Sequence, residues 1–453
     1  MLSLPTGRVS APDGIFGLLI GMKLDKSLVI FVFSAVFLLL LLAVGAGFYL
    51  GTKKGFPGTQ IKQAIRVGRG FVETGVIAPE GLLSRRPEMA PEEDYLEHDA
   101  ARMPRGYRAM MRFDLTADLY VVDLFDPAGD LVWTWRLDDP AAGAEAARED
   151  RIQPHGLVIL ESGDVVINGV AESKILARYD RCSIPVWSLN SYYHHLMSRD
   201  EVKGIWSWLT EGRDAYSQNQ FMVRFDPETG QELERISAIK DLVQAHPENQ
   251  AILNLPSYYF EGERRPWERR DTDLLHTNDV EALPAALADK FPDFQPGDLL
   301  VSFRNYSMIA VIDRITHKIK WRMQGPWIHQ HDPDFTEDGR ISVFNNNFTA
   351  PYERRSNIIT VDPQTMQTQT LFESPETVFF SDRMGEHQSL PGGILHITVP
   401  HEGRVIEIDP KTDELVFEYN NRVLKGHNAH IANSVWLPEE YFNDDPKSFA
   451  CPG

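Results

Sequence analysis

The sequence predicts an all-β protein: a six-bladed β-propeller preceded by a single N-terminal transmembrane helix and a stalk. Three observations support this prediction: an uncharged apolar run near the N-terminus, a hairpin pattern that recurs six times, and a histidine that follows each hairpin. The expected organisation is a tail at 1–26, a membrane anchor at 27–52, a stalk at 53–104, a propeller at 105–446 with an insertion near 237–273, and a C-terminal tail at 447–453.

The apolar run predicts the membrane anchor. No charged residue lies between Ser27 and Thr52, and about 20 apolar residues are enough for a helix to span a bilayer. A cleaved signal peptide that starts at Met22 is the alternative, but the run exceeds the usual signal core of roughly 7–15 residues. Lysines flank both ends of the run, so the distribution of positive charge does not settle the orientation.

The hairpin pattern predicts the propeller blades. An apolar strand leads into an aspartate and a short turn, and a second apolar strand follows, often with a tryptophan. Successive aspartates are separated by 54, 46, 87, 49 and 47 residues, and four of these spacings fit one blade of roughly 40–50 residues. The longest spacing contains the insertion. The six aspartates are Asp126, Asp180, Asp226, Asp313, Asp362 and Asp409.

A second repeat places one histidine at the start of the strand after each hairpin. The innermost strands of a propeller line its central channel, so we expect these imidazoles to converge on one mouth; chance placement in the core or on the surface is the alternative. Strands just before Asp126 and just after His430 would share one blade and close the ring, which leaves no long unpaired edge. The six histidines are His155, His195, His276, His331, His387 and His430.

Charge and cysteine content exclude several classes of protein. The chain has 45 basic and 65 acidic residues, for a net charge of −20, which argues against nucleic acid as a partner because phosphate binding needs clustered cations. Two cysteines, Cys182 and Cys451, exclude a disulfide-rich scaffold and a cysteine-rich metal cluster. They could form one bridge, but the sequence alone does not show whether they lie close enough.

A ring of histidines suits metal binding, covalent catalysis by one imidazole, or ligand binding without chemistry. The residues around His276 favour an anion site. If the strand that ends at Arg304 runs antiparallel to the strand of His276, Arg304 returns to the same mouth as His276 and Asn278. A guanidinium beside imidazoles and an amide forms an oxyanion receptor. No aspartate or glutamate occupies a matching repeat position, so we expect no carboxylate-containing metal site.

These motifs resemble those of the bacterial arylsulfotransferases (aryl sulfate sulfotransferases), six-bladed propellers that work through a sulfated histidine. His276, Asn278 and Arg304 match the family's His-x-Asn and arginine pair, and His331, after Gln330, matches its Gln-His unit. The Asp-Gly turn at 338–339 and the Phe-Asn-Asn strand end at 344–346 follow as in the family. The resemblance covers roughly residues 105–440.

The resemblance implies a transfer of a sulfuryl group from an aryl sulfate to a phenol, without a metal or another cofactor. It also implies an inner-membrane protein of a bacterium with its propeller in the periplasm; no protein partner is indicated. The resemblance implies that His331 is the nucleophile and that Arg304, Asn278 and His276 bind the sulfuryl oxygens. His195 is the implied acid or base. His387 and His430 have weaker implied roles as acid, base or binding residues.

The sequence departs from the family pattern in three places. Leu196 follows His194 and His195 where the family usually has an aspartate, no separate N-terminal β-domain precedes the propeller, and the cysteines form no short-loop disulfide. Three other functions stay open: a quinoprotein-like enzyme with PQQ on the axis, a histidine-ligated metal oxidoreductase, and a catalytically inert scaffold or binding protein.

Overall fold

The fold is known from a computed structural model. It describes residues 34, 82–85, 94–138, 152–169, 173–211, 219–253, 275–348, 355–424 and 426–451. Apart from residue 34, the predicted anchor at 27–52 lies outside these ranges, as does most of the predicted stalk. No helix within the described ranges is long and apolar enough to cross a membrane.

The described part of the chain is mostly β-sheet. In chain order its strands are β1 (Leu83–Arg85), β2 (Tyr95–Glu97), β3 (Gly106–Asp114), β4 (Leu119–Phe125), β5 (Leu131–Arg136), β6 (Pro154–Ile159), β7 (Val165–Gly169), β8 (Leu176–Tyr179), β9 (Pro185–Leu189), β10 (Tyr192–Arg199), β11 (Ile205–Glu211), β12 (Asn219–Phe225), β13 (Glu232–Ser237), β14 (Thr277–Ala282), β15 (Leu299–Phe303), β16 (Met308–Ile312), β17 (Ile319–Gln324), β18 (His331–Phe335), β19 (Ile341–Asn345), β20 (Asn357–Val361), β21 (Thr368–Phe372), β22 (Glu386–Leu390), β23 (Ile394–Val399), β24 (Arg404–Asp409), β25 (Glu414–Asn420), β26 (Arg422–Leu424), β27 (His427–Ala429) and β28 (Ile431–Pro438).

The helical segments are few. A π-helical turn spans Ala238–Gln244, and one short α-helix, α1, spans Pro247–Ile252. Both lie in the predicted insertion. Single 3-10 turns span Ala285–Lys290, Arg304–Tyr306, Pro391–Gly393, Pro400–Glu402 and Pro446–Ser448.

Most strands belong to antiparallel sheets built from four consecutive strands. Sheets 2 to 5 are β6–β9, β10–β13, β14–β17 and β18–β21, and sheet 6 is β22–β25 with β2 added at its outer edge. Sheet 1 has the order β28-β3-β4-β5 and therefore joins the two ends of the domain, as the sequence predicts. A small three-stranded sheet has the order β1-β27-β26.

The first strands of the six sheets contact one another in a cycle. In order around it these first strands are β28, β6, β10, β14, β18 and β22, and β22 contacts β28 again. Apolar clusters fill the space between neighbouring sheets; one joins Leu300 and Val311 of sheet 4 to Val343 and Ile359 of sheet 5. The arrangement is propeller-like and brings the starts of the six first strands together.

The recurring aspartates occupy the turn between the third and fourth strands of each sheet. In every case a side-chain oxygen accepts a hydrogen bond from the backbone N–H two residues later, as in Asp126 with Ala128 and Asp409 with Lys411. Aspartate favours such turns because its short side chain replaces a backbone acceptor. The repeat therefore marks the hairpins that the sequence predicts.

The structure moves the predicted boundary between stalk and propeller. β1 pairs with β27 and β2 pairs with β25, so parts of the predicted 53–104 stalk belong to the folded body. Strands of three residues at a sheet edge have too short a pattern to be recognised in a sequence.

The C-terminal segment at 447–453 is anchored to the body. The ring of Phe449 packs against Trp133 at 5.3 Å. Cys182 and Cys451 form a disulfide, with their Cα atoms 5.5 Å apart. This answers the question that the sequence leaves open.

Candidate active site

Five of the six predicted histidines lie at or next to the start of a first strand, as the repeat pattern predicts; His195 is the fourth residue of β10. In five of these strands the pairing register shifts beside the histidine; the exception is β22. His195 and His276 also have positive φ angles of 64° and 46°. A β-bulge adds a residue to one strand and re-aims its side chains, so the shifted strands can direct their imidazoles toward each other.

Seven imidazoles gather into what we call the imidazole cluster. His195 lies at its centre, with its ring centroid 4.9 Å from His155, 4.8 Å from His194, 5.2 Å from His276 and 6.2 Å from His331. Five of the six predicted histidines belong to it. The full cluster is His155, His194, His195, His276, His331, His401 and His430.

His430 lies at one side of this cluster. Its ring is 5.4 Å from that of His401, and its Nδ1 forms a 3.0 Å hydrogen bond with the hydroxyl of Tyr120. The sequence analysis did not select His401. It lies in the 3-10 turn between β23 and β24 of sheet 6 rather than at the start of a first strand, so no repeat signal marks it.

His387 is the predicted histidine that the structure does not bring into the cluster. Its Nδ1 lies 2.7 Å from Asp332, and its Nε2 lies 2.8 Å from the hydroxyl of Ser342. Because β22 pairs with β23 without a register shift, the side chain of His387 is directed toward sheet 5. The expectation that His387 lines the same mouth therefore requires correction.

The surroundings of His331 fix its tautomer. The side chain is 1% exposed, and Nδ1 lies 2.7 Å from Oδ1 of Asn346. Asn346 donates from Nδ2 to the carbonyls of Ser381 and Met384, so its amide nitrogen is committed and its oxygen must face the imidazole. An acceptor at this position requires a proton on Nδ1. The lone pair of His331 is therefore on Nε2, which accepts a weak 3.3 Å contact from the N–H of Met384.

Burial disfavours the charged form of four histidines of the cluster. Desolvation, followed by the electrostatic effect of neighbouring histidines, lowers the pKa of His155 to about 3. The same causes lower the pKa of His195 and His430 well below 6.5. Burial also lowers the pKa of His331 well below 6.5. The hydrogen bond that Nδ1–H donates to Asn346 raises this pKa, and the positive charge of Arg304 lowers it further. These imidazoles are neutral at pH 7.

Arg304 and Asn278 lie beside the cluster. Arg304 follows β15 directly, and its backbone N–H donates to the carbonyl of His276 at 3.0 Å. Its charge acts on both His331 and His329. The structure thus brings His276, Arg304 and His331 together. Asn278 is fully buried and donates to the carbonyl of Gln330 at 2.7 Å, which holds the segment that carries His331.

Three of the same first strands also carry a set of acidic side chains, which we call the carboxylate cluster. It comprises Asp279 and Glu281 from β14, Asp332 and Asp334 from β18, and Glu386 from β22. The expectation that no acid occupies a matching position is wrong, because Asp279 and Asp334 each lie three residues after a predicted histidine. The three-residue spacing between histidine and aspartate was the sequence signal that could have revealed these acids.

The described part of the chain provides no counter-charge to the carboxylate cluster. In the described ranges, no lysine or arginine lies within ion-pair distance of these five residues. Burial, and then repulsion by the other carboxylates, raises the pKa of Asp279, Asp334 and Glu386 well above the ordinary range. Burial raises the pKa of Glu281 to about 8. Asp332, Asp334 and His387 offer ligand atoms within 4.8 Å of one another and are the described residues best placed to hold a metal.

Comparisons with known proteins place these observations in context. No curated protein matches the chain. Among solved structures, a Bacteroides caccae protein of unknown function is 10% identical, with a TM-score of 0.47 over 74% of this chain and 99% of the other. The β-propeller domain of Cps50 (Swd1) from Myceliophteria thermophila is 12% identical, with a TM-score of 0.38 over 68% and 85%. A nidogen/laminin complex structure is 9% identical, with a TM-score of 0.42 over 74% and 98%.

A family model gives the direct assignment. It is described as arylsulfotransferase (ASST) and matches residues 156–422, more than half of the chain. The matched segment contains His195, His276, Arg304, His331 and Asn346. The chain belongs to the arylsulfotransferase family.

Proposed function

We propose that the protein transfers a sulfuryl group from an aryl sulfate to a phenol through a sulfohistidine on His331. One observation carries this assignment: Asn346 holds the proton of His331 on Nδ1 and leaves the lone pair on Nε2. A neutral imidazole with a directed lone pair is the form that can act as a nucleophile. Membership of the family supports the reaction class.

In the first half-reaction, Nε2 of His331 attacks sulfur and the bond between sulfur and the aryl oxygen breaks. The phenolate leaves with the electron pair of that bond. The ring of His331 gains positive charge, which the hydrogen bond from Nδ1–H to Asn346 stabilises. His195, 6.2 Å from His331 between ring centroids, is our candidate acid: it takes up a proton from solvent as the anionic donor binds and passes this proton to the leaving phenolate.

The sulfuryl oxygens need donors that are already in place. Arg304 supplies a positive charge beside His331, and the ring of His276 supplies an N–H. Because the site is buried, such donors act in a low-dielectric environment and stabilise developing charge more strongly than water does. Asn278 contributes by holding Gln330 and thereby His331.

In the second half-reaction, a phenol attacks the sulfur of sulfohistidine and the N–S bond breaks. The phenolic proton passes to an imidazole of the cluster, for which His195 is again the candidate, with His430 further away. The electron pair returns to Nε2 of His331, which restores the resting enzyme. Two transfers through one site predict ping-pong kinetics.

Trapping the intermediate tests this proposal. The full chain is mixed with a phenyl sulfate without acceptor, quenched, and digested for mass spectrometry. We expect a gain of about 80 Da on the peptide with His331, as a covalent sulfohistidine requires, and its loss after phenol is added. An enzyme that turns over while His331 stays unmodified would contradict the assignment. His246→Gln, in the insertion, is the matched control and should form the adduct normally.

We also propose that sheets 1 to 6 are the six blades of a closed propeller, anchored by residues 27–52 in a bacterial inner membrane. The cycle of first-strand contacts and the shared sheet 1 support the closed ring. The uncharged run supports the anchor. The disulfide between Cys182 and Cys451 supports the periplasmic side, because disulfides persist in oxidising compartments.

A fusion experiment tests the orientation. Alkaline phosphatase is joined to the C-terminus of the full chain in bacteria. A periplasmic propeller predicts an active fusion, since this enzyme needs the oxidising periplasm. An inactive phosphatase together with a fluorescent cytoplasmic reporter at the same position would place the propeller in the cytoplasm.

A further inference from the structure

We propose that His194 is the positioning residue of His195: it orients the ring of His195 and shares the proton that His195 moves. Nδ1 of His194 lies 2.6 Å from Nδ1 of His195, and Nε2 of His194 lies 2.8 Å from the hydroxyl oxygen of Thr210. We call these three side chains the histidine relay. The role rests on the proposed function, which leaves His194 without a part in the chemistry.

The backbone is distorted where the two imidazoles meet. Side chains of neighbouring residues on a regular strand point to opposite faces of the sheet, so His194 and His195 could not touch on a regular β10. The pairing of β10 with β11 shifts its register between His194 and Ser198, and His195 has a φ of 64°. Asn168 stabilises this conformation by donating from Nδ2 to the carbonyl oxygen of His195 at 2.8 Å. The distortion brings two neighbouring imidazoles into hydrogen-bond contact.

The contact between the two Nδ1 atoms requires one proton between the rings. At 2.6 Å one nitrogen donates and the other accepts, because two lone pairs or two protons would repel each other. A neutral His195 therefore has two arrangements. With the proton on its own Nδ1, its Nε2 has a lone pair and can act as a base. With the proton on Nδ1 of His194, Nε2 of His195 carries a proton and can act as an acid.

The hydroxyl of Thr210 is compatible with both arrangements. Thr210 lies on β11, is 2% exposed, and meets the nitrogen of His194 that faces away from His195. A hydroxyl group can both donate and accept, so it pairs with Nε2 of His194 whether or not that atom carries a proton. His194 can thus change its tautomer without leaving a buried polar atom unpaired, which would be costly.

The exposure of the two rings assigns their roles. His195 is partly exposed, whereas His194 is only 6% exposed. The ring of His195 also adjoins those of His276 and His331, at 5.2 Å and 6.2 Å between centroids. Because Nδ1 of His195 is committed to His194, Nε2 is the nitrogen that can meet a substrate oxygen. His194 therefore acts through His195.

The histidine relay serves both half-reactions. In the first, Nε2–H of protonated His195 passes its proton to the aryl oxygen as the bond between sulfur and oxygen breaks. In the second, the oxygen of the acceptor phenol bonds to sulfur and its proton passes to Nε2. Whenever His195 is protonated on both nitrogens, the proton between the two Nδ1 atoms can move toward His194, so both rings share the positive charge. Burial makes an imidazolium costly, and this sharing reduces the cost.

The dependence of the rate on the leaving group tests the role of His194. Phenyl sulfate releases a basic phenolate that needs a proton from His195, whereas 4-nitrophenyl sulfate releases a weakly basic one that does not. The full chain is mixed with each donor, without acceptor, and rapid quenching measures the released phenol and the sulfated His331. His194→Phe removes both hydrogen bonds and should slow the release of phenol by roughly 10–100-fold, but that of 4-nitrophenol by less than about 3-fold.

Variants of Thr210 provide a second test that leaves both imidazoles in place. Thr210→Val is nearly isosteric and should slow the release of phenol by roughly 3–10-fold, whereas Thr210→Ser keeps the hydroxyl and should restore the wild-type rate. Thr360→Val is the matched control, because Thr360 is a buried threonine on β20 whose hydroxyl accepts from Arg340. This control should leave the rates with both donors unchanged.

The outcomes separate this role from the proposed function. Equal slowing with the two donors, or no slowing in His194→Phe and Thr210→Val, would overturn the role of His194 while the wild type still forms the sulfohistidine. A wild type that releases phenol without a sulfated His331 would overturn the proposed function, and the role of His194 with it. If His194→Phe does not fold, the comparison of the two donors with Thr210→Val decides.

Discussion

The two clusters of the first strands differ in the charge they could carry, although the same strands supply both. The imidazole cluster sits where the strands begin, at shifts of register, and the carboxylate cluster follows one to five residues later on β14 and β18. Burial keeps the histidines deprotonated and the carboxylates protonated. Burial therefore disfavours the charged form of these groups in both clusters, with opposite effects on the pKa of an imidazole and of a carboxyl.

This difference teaches how a protein with a net charge of −20 can bind an anion. Unprotonated imidazoles do not attract a sulfate ester by charge, but they can take up a proton as the anion binds. Arg304, beside His331, adds a permanent positive charge. The four predictions below test this contrast between the two clusters.

The largest effect is expected for His331→Ala. Removal of the nucleophile should lower kcat by roughly 10³-fold or more, as for other covalent catalysts. Steady-state assay with a phenyl sulfate and a phenol measures it. His387→Gln, outside the imidazole cluster, is the comparison and should lose far less activity. Equal losses of activity in the two variants would mean that His331 contributes no more to catalysis than His387.

A smaller loss is expected when the positioning residue is changed. Asn346→Ala removes the acceptor that fixes the tautomer of His331 and should lower kcat by roughly 10–100-fold with little change in KM. Asn346→Asp places a negative charge beside Nδ1 and should raise the pKa of His331. The pH profile of the first half-reaction should then shift to higher pH. An unchanged pH profile in Asn346→Asp would contradict the role of Asn346 in holding the proton of His331 on Nδ1.

Acid should destabilise the fold through the imidazole cluster. The folded pKa values of His155, His195, His331 and His430 lie below the unfolded value near 6.5, so the unfolded state takes up more protons as the pH falls below 6.5. Each histidine can lower the free energy of unfolding by up to about 1.4 kcal/mol between pH 7.5 and 5.5. Urea unfolding at several pH values across this range measures how steeply the free energy of unfolding changes with pH.

One variant isolates this contribution. His155→Gln should make the slope shallower by about one proton, and His246→Gln should leave it unchanged. A stability that does not vary from pH 7.5 to 5.5 would mean that the cluster is open to protonation in the folded state.

The smallest effect is expected at the carboxylate cluster and has the opposite sign. The pKa of Glu281 is raised to about 8, so its stabilising contribution is complete below about pH 4.5 and is lost as the pH rises through 8. Glu281→Gln should therefore stabilise the protein at pH 8.5 in EDTA by on the order of 1 kcal/mol. The exposed Glu337→Gln should have no effect. A destabilised Glu281→Gln at pH 8.5 would contradict the raised pKa.

The sequence predicted the features that repeat and missed those that depend on register. Six aspartate turns and six histidines were recognisable because each unit repeats the same local chemistry. The different direction of His387 was not, because a regular strand and a bulged strand can share the same pattern. The partners that orient His331, such as Asn346, come from neighbouring strands, and the pairing of Cys182 with Cys451 joins residues 269 apart.

The shared sheet has a consequence for biosynthesis. β3 pairs with β28, yet the ribosome makes β3 more than 300 residues earlier. At 5–20 residues per second, β3 waits on the order of half a minute for its partner. During that time its edge is open to pairing with other nascent chains. Prematurely terminated products never cover this edge, so we expect chaperones and proteases to recognise them and to spare the finished molecule.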